Sequence, residues 1–197
     1  MPTVIDSKNI LRRQLRKMRA DYVASLSPSI SRLVFSRPPA PLASELAEYD
    51  MIGLYYPIGA EAPTRGYADI LLEQGKKVAL PWFADAGAAM QFRFWSGVED
   101  ALEPGPFGLK QPSPDFALAE PGALIIPLLG FDARLNRLGQ GGGHYDRYCE
   151  TRPDLLRIGL AWSAQQIDEV PVEPHDVPLD FVITESRLFE RPEGYLQ

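Results

Sequence analysis

Residues 137–147 read Arg-Leu-Gly-Gln-Gly-Gly-Gly-His-Tyr-Asp-Arg. Gly139, Gly141, Gly142 and Gly143 have no Cβ to hold a ligand away, and their backbone is free to take positive φ. At a helix start such a backbone offers unpaired N–H groups to phosphate oxygens, and Arg137 and Arg147 at the two ends add charge-assisted hydrogen bonds. The segment is not the dinucleotide fingerprint and lacks the Gly-Lys-Ser/Thr ending of a P-loop, so a tight structural turn is the alternative. Asp146 follows the glycines, and Asp176 lies in the late loop of residues 171–176. Hard carboxylate oxygens suit Mg²⁺, whose shell is completed by substrate phosphates and water. Pairing with Arg147 or a turn cap would also account for Asp146, and an ordinary loop position for Asp176. Glu61 can accept hydrogen bonds from a polar heterocycle, or stand as a favourable charge at a helix N-terminus. His144 and His175 are the only histidines, and with the single Cys149 they are too few for a zinc site. They are read as ligand-contacting or loop-structural. Lys8 and Arg12 stand near the start of an N-terminal helix, where an anion-binding role needs support from elsewhere.

These residues must be carried by an α/β framework. Ile10, Leu11, Leu15, Met18, Tyr22 and Leu26 recur at helical spacing, which predicts a helix over residues 7–26 capped by Asp6 or Ser7. Lys8, Arg12, Arg16 and Arg19 fall on one flank, with Arg16 and Arg19 read as a solvated stripe. After Pro38, Pro39 and Pro41 a short helix is expected over 42–49. The apolar run 51–56 reads as a buried strand, 58–62 as a loop, 63–74 as a helix with Pro63 in its first turn and Gly75 as its stop, and 77–82 as a second strand. This order predicts a parallel crossover. Met90, Phe92 and Phe94 alternate with Gln91, Arg93 and Trp95, which predicts a strand with one polar face. Residues 103–121, rich in proline and glycine, read as a long ordered loop. Residues 123–131 are the most apolar run and predict a central strand. The glycine segment then lies at the C-terminal end of a parallel strand, where open α/β sheets bind ligands, and a helix follows over 144–151. A strand over 157–162, a short helix over 164–169 and a last strand over 181–184 complete the pattern.

With 197 residues, 45% apolar and 23% charged, the chain suits one domain around a single core. Its net charge of −6 argues against a nucleic-acid partner without excluding a local basic pocket. One cysteine allows no internal disulfide, which fits a reducing compartment, and Cys149 reads as a packed thiol. Residues 5–9 hold no apolar signal core and no stretch has the length of a membrane span, so a cytoplasmic protein is expected.

The motifs, taken in order, resemble the 5-formyltetrahydrofolate cyclo-ligase family, also called methenyltetrahydrofolate synthetases. They are Lys8-x-x-x-Arg12, Tyr56-Pro-x-x-x-Glu61-x-x-Thr64, Asp132 with the 137–147 segment, and the Val170…Asp176…Asp180 stretch. The resemblance implies a doubly wound, mostly parallel α/β fold similar to the sugar-phosphate isomerase and CoA-transferase group. It implies cyclisation of 5-formyltetrahydrofolate to 5,10-methenyltetrahydrofolate with ATP and Mg²⁺, releasing ADP and phosphate through a phosphorylated N5-formyl intermediate. It also implies a monomer with a folate substrate. Lys8, Arg12, Arg137, Leu138, Gly139, Gln140, Gly141, Gly142, Gly143, His144 and Tyr145 would hold ATP. Glu61, Phe107 and Tyr145 would hold folate, Tyr145 and Arg137 would serve catalysis, and Asp146 and Asp176 would hold Mg²⁺. His144 departs from the aromatic often found at its position, which implies altered substrate packing or pH response. A divergent member without the reaction and a non-enzymatic nucleotide-binding module are the alternatives; the second leaves Glu61 and the two aspartates without a task.

Overall fold

The computed structural model describes residues 3–27, 30 and 33–192. Its sheet has five parallel strands at the centre: β1 (Met51–Gly53), β2 (Lys77–Trp82), β7 (Ala123–Pro127), β10 (Leu156–Leu160) and β11 (Phe181–Ile183). Across the sheet they run β2-β1-β7-β10-β11. The chain therefore winds one way from β1 to β2 and the other way from β7 onwards. The reversal falls between β1 and β7, where Ile52 pairs with Ala123 and Gly53 with Leu124. Antiparallel strands close both sides. β3 (Gln91–Trp95) pairs with β2, β6 (Leu118–Ala119) with β3, and β12 (Leu188–Glu190) with β11.

Both faces of the sheet are covered, which is why its central strand is an unbroken apolar run. Along β7, Ala123 and Ile125 pack with α2 (Ala40–Ala47) and α3 (Arg65–Glu73) through Leu42, Leu46, Tyr67 and Leu71. Leu124 and Ile126 point the other way, towards Tyr148 and Cys149 of α4 (His144–Glu150). Beyond β7, a two-stranded hairpin of β8 (Gly130–Phe131) and β9 (Arg137–Leu138) carries the chain into the glycine segment. Asp132 is buried and fixes that hairpin: its carboxylate accepts from the N–H groups of Arg134, Asn136 and Val170 and from the Asn136 carboxamide.

The first helix, α1 (Val4–Ser25), docks on this hairpin through a small cluster of Leu15, Leu129, Leu138 and Val170. Its cap is Thr3, not Asp6 or Ser7; Asp6 instead returns a carboxylate to the Thr3 N–H and closes a capping box. The inward stripe also differs from the apolar pattern. Ile10 and Met18 are exposed, while Lys8, Leu15 and Arg19 are buried, because this face meets carboxylates and carbonyls at the rim of the sheet.

Four further elements differ from expectation. Pro63 precedes the third helix, whose N-cap is Thr64, and the Thr64 hydroxyl donates to the Tyr55 carbonyl. On β3 the face that carries exposed Gln91 and half-buried Arg93 still buries Trp95, which packs into one layer while Phe92 packs into the other. Residues 103–121 are not one loop: β4 (Leu102–Pro104) and β5 (Lys110–Pro112) pair around a 3₁₀ turn, and β6 follows. The strand at 181–183 is not the last, because β12 turns back on it. No helix among the described residues is long and apolar enough to cross a membrane.

Candidate active site

A cleft of about 610 Å³ opens at the C-terminal ends of β1, β2 and β7, over the reversal in strand order. That is where doubly wound sheets leave a crevice, because neighbouring connections depart to opposite faces. Every residue singled out above as an ATP, folate, metal or catalytic contact borders it.

One wall is the glycine segment. Gly141 has φ of 110° and Gly143, the residue before α4, has φ of 63°, conformations that a Cβ would strain. No side chain caps the start of α4, so its first-turn N–H groups keep their donor capacity. The segment is held from outside by α1: Arg12 Nε donates to the Gly139 carbonyl at 3.1 Å, and Arg16 donates to both the side chain and the carbonyl of Gln140, each at 3.1 Å. Leu138 borders the cleft but turns its side chain into the Leu15 cluster. Arg137 is buried, its Nη2 donating to Asp146 Oδ1 at 2.6 Å and its Nε without a partner.

Glu61 forms the floor. Its loop is closed by the Tyr55 hydroxyl on the Ala62 carbonyl (2.5 Å) and by Trp162 Nε1 on the Ala60 carbonyl (3.0 Å). The Glu61 carboxylate does not cap the following helix. It accepts from the Ile58 N–H at 2.9 Å and from the Gln140 carboxamide at 3.1 Å, and lies 3.6 Å from Arg19 Nη1. Arg19 is thus no solvated residue; it is buried, and it also donates to the Leu128 carbonyl. Burial lowers the Arg19 guanidinium, and Glu61 pulls it back up. Tyr145 lies over the same floor. Burial, reinforced by the Glu61 charge, raises its phenol above the ordinary value.

The third wall is aromatic. Phe83, Phe107 and His144 lie with ring centres 4.9 to 5.5 Å apart. Phe107 is held out from its turn by a φ of 62° and is more than half exposed. Burial first and Arg147 second lower the His144 imidazole, which is therefore neutral at neutral pH.

The polar corner collects residues from the two ends of the chain. Lys8 is 3% exposed, and its ammonium contacts Glu173 at 2.8 Å and Asp176 at 2.5 Å. The hydrogen bond from Lys8 depresses the Glu173 carboxyl. Asp146 is tied to this corner by the Val177 N–H at 3.5 Å. Donor atoms of Glu173, His175 and Asp176 lie within 4.8 Å of one another, so these three, with Asp146 outside the group, form the carboxylate-rich part of the cleft. Glu173, Phe83 and the Arg19–Glu61 contact are what the sequence reading missed. Glu173 is three residues from Asp176 in a loop already singled out, and Phe83 directly follows a strand end; those were the available signals.

Strand order, a crevice at its reversal, and a glycine-lined anion wall facing an aromatic one define an α/β enzyme of the doubly wound class. Its cleft suits a phosphorylated ligand beside a flat ring. Residues 4–185 match the family model of the 5-formyltetrahydrofolate cyclo-ligase family. A 5-formyltetrahydrofolate cyclo-ligase of Mycolicibacterium smegmatis is 31% identical over 140 residues, covering 68% of this chain and 72% of that protein. One from Escherichia coli is 26% identical over 191 residues, covering 92% and 100%. The NMR structure of Aquifex aeolicus 5,10-methenyltetrahydrofolate synthetase superposes with a TM-score of 0.72 at 26% identity, covering 95% of this chain and 96% of that one. The chain belongs to the 5-formyltetrahydrofolate cyclo-ligase family. It is a ligase of folate and one-carbon metabolism that converts 5-formyltetrahydrofolate to 5,10-methenyltetrahydrofolate, and family membership implies use of ATP.

Proposed function

We propose that this cleft aligns ATP and 5-formyltetrahydrofolate so that the formyl oxygen takes the γ-phosphoryl group and ADP leaves. N10 of the folate then attacks the formyl carbon and loses its proton, the carbon–oxygen bond breaks, and the departing phosphate takes up that proton as the new ring closes. Chemistry of this kind asks the protein for alignment and charge neutralisation above all. The observation that carries the reading is the 3.1 Å hydrogen bond from Gln140 to Glu61, which makes the glycine segment and the carboxylate floor one surface.

In this arrangement Glu61 accepts from the N–H groups of the pterin, and Phe83, Phe107 and His144 wall its flat face. The Tyr145 hydroxyl, which borders the cleft over the Glu61 floor, donates to the formyl oxygen. Residues 139–143 bring backbone N–H groups to the phosphates, and Lys8, Arg12 and Arg137 offset their charge. The unpaired Nε of buried Arg137 marks donor capacity not used by the protein itself. The donor set also fits a hard divalent cation. Asp146 accepts through Oδ1 and Asp176 through Oδ2, so each has a second carboxylate oxygen that no described hydrogen bond uses. These two would hold Mg²⁺, which supplies charge neutralisation at phosphate oxygens. The chain would act as one domain, monomeric and cytoplasmic, which light scattering and cell fractionation test.

The test is absorbance at the methenyl-folate band with purified protein, 5-formyltetrahydrofolate, Mg²⁺ and ATP, against controls lacking ATP or metal. Growth of the band that needs both is expected. A folded protein that binds folate but gives no band would overturn the proposal.

A further inference from the structure

Of residues 139–143 only Gln140 has a side chain. Its carboxamide bridges two elements in a single orientation. Arg16 Nε donates to Gln140 Oε1 at 3.1 Å, and Gln140 Nε2 donates to Glu61 Oε1 at 3.1 Å. A guanidinium can only donate and a carboxylate can only accept, so the two partners fix which end of the carboxamide faces which. Glu61 Oε1 in turn lies 3.6 Å from Arg19 Nη1. Arg16 and Arg19 stand three residues apart on α1, as neighbours on the helix surface, so α1, Gln140 and Glu61 close a ring. Arg16 also sets the backbone, because its Nη2 donates to the Gln140 carbonyl at 3.1 Å. That peptide is trans, so the Gly141 N–H points the opposite way from the carbonyl that Arg16 holds. One arginine therefore orients a phosphate donor and, through the carboxamide, the carboxylate that forms the floor.

Gln140 and Arg16 are exposed, whereas the Glu61 side chain is 7% exposed. With the cleft open, water competes for both ends of the carboxamide, and hydrogen bonds in that setting contribute little. A ligand on either side of the bridge excludes that water and lowers the local dielectric. Hydrogen bonds in series then strengthen one another: donation from Arg16 polarises the carboxamide, which donates more strongly to Glu61. We propose that Gln140, positioned by Arg16, couples the nucleotide and folate halves of the cleft, so that either ligand tightens the binding of the other. The proposal rests on the ATP and folate reading given above. Nucleotide covers the Arg16 end and holds the backbone of residues 139–143, which leaves Glu61 set for the pterin. Folate on Glu61 fixes the carboxamide, which leaves the Gly141 N–H set for phosphate. The factor is the same in both directions, as linkage requires.

Calorimetric titration with 5-formyltetrahydrofolate, with and without Mg²⁺ and a saturating β,γ-imido analogue of ATP, measures the coupling as the ratio of the two dissociation constants. The unaltered protein should give a ratio of at least about fivefold, the lower end for coupled sites, and the same factor when the analogue is titrated with and without folate. Gln140→Met keeps the length of the side chain without its donor or acceptor, and Arg16→Met keeps the stem without the guanidinium. Each should bring the ratio to within about twofold of one. The ratio compares a protein with itself, so a structural loss that weakens both titrations alike does not move it. Arg16 acts through Gln140, so the double variant should lose no more coupling than Gln140→Met alone. A ratio near one in the unaltered protein, or a ratio retained in either variant while both ligands still bind, would overturn the relay. Failure of the unaltered protein to bind 5-formyltetrahydrofolate in either condition would instead overturn the folate reading on which the relay depends.

Discussion

Arg19→Met, taken alone and together with Glu61→Gln, tests whether the floor of the cleft is held by a buried ion pair. The two side chains are 9% and 7% exposed, and Arg19 Nη1 stands 3.6 Å from Glu61 Oε1. Removing one partner of such a pair costs roughly 3–5 kcal/mol, because the other charge stays buried and uncompensated. Two features bring the figure down here. Glu61 keeps the N–H groups of Ile58 and Gln140, and methionine refills most of the arginine stem. About 2 kcal/mol is expected, which for a chain of this length is a fall in melting temperature of about 4–8 °C. Glu61→Gln should cost a similar amount, since Arg19 is left with the Leu128 carbonyl and a Nε already without a partner. The double variant leaves no uncompensated charge, so it should lose about 1–2 kcal/mol less than the sum of the single losses. Urea denaturation of all four proteins gives the cycle, and the Michaelis constant for folate should rise in Arg19→Met more than that for ATP. Single losses that add within about 0.5 kcal/mol would show the two groups to be independent and refute the reasoning.

Lys8→Ala should raise the Michaelis constant for ATP by at least about tenfold and that for folate much less, since a buried cation at the polar corner is removed; steady-state kinetics with each substrate varied decide it. Asp146→Asn should shift the Mg²⁺ dependence to higher concentration, and full activity at limiting metal would assign Asp146 to pairing with Arg137 alone. His144 has a folded value below the ordinary imidazole value, so the unfolded chain takes up a proton that the folded chain refuses. Its contribution to stability is therefore complete above the ordinary value near pH 6.5 and is lost as pH falls through the lowered one. Solvent screening of the half-buried ring keeps this contribution small, and His144→Tyr should flatten that part of the stability profile in denaturation at stepped pH.

The sequence made the framework legible where periodicity and burial coincide. β7 reads as central because both of its faces are covered, and the crossover from β1 to β2 follows from apolar runs flanking a helical pattern. The glycine segment was legible because its chemistry is local: the residues that bind are neighbours in the chain. Contacts made across the fold were not. Helical spacing groups Arg19 with Arg16, but it does not say that one faces Glu61 and Leu128 while the other faces Gln140. Alternation in residues 90–95 assigns Trp95 to a polar face, whereas in the sheet, with β3 between β2 and β6, that side chain is buried. β4, β5 and β12 are three residues each, too short for any period to show, and prolines at both ends of the first hairpin suggest a loop. Lys8 shows both limits together. Its place near a helix start suggests an anion contact, yet the structure sets it on two carboxylates from a loop 165 and 168 residues later.

That separation bears on how the enzyme comes into being. The first helix supplies Lys8, Arg12 and Arg16 to a site whose glycine segment and carboxylate loop are made far later, so a ribosome-bound chain has no complete cleft until residue 176 has emerged. Until then Lys8 waits without its two carboxylates. Contacts of such long range are slow to form. Once they are formed, anything held between α1 and the loop at 173–176 clasps the beginning of the chain to its end, and the folded protein gains resistance to opening in proportion to how tightly that occupant is bound.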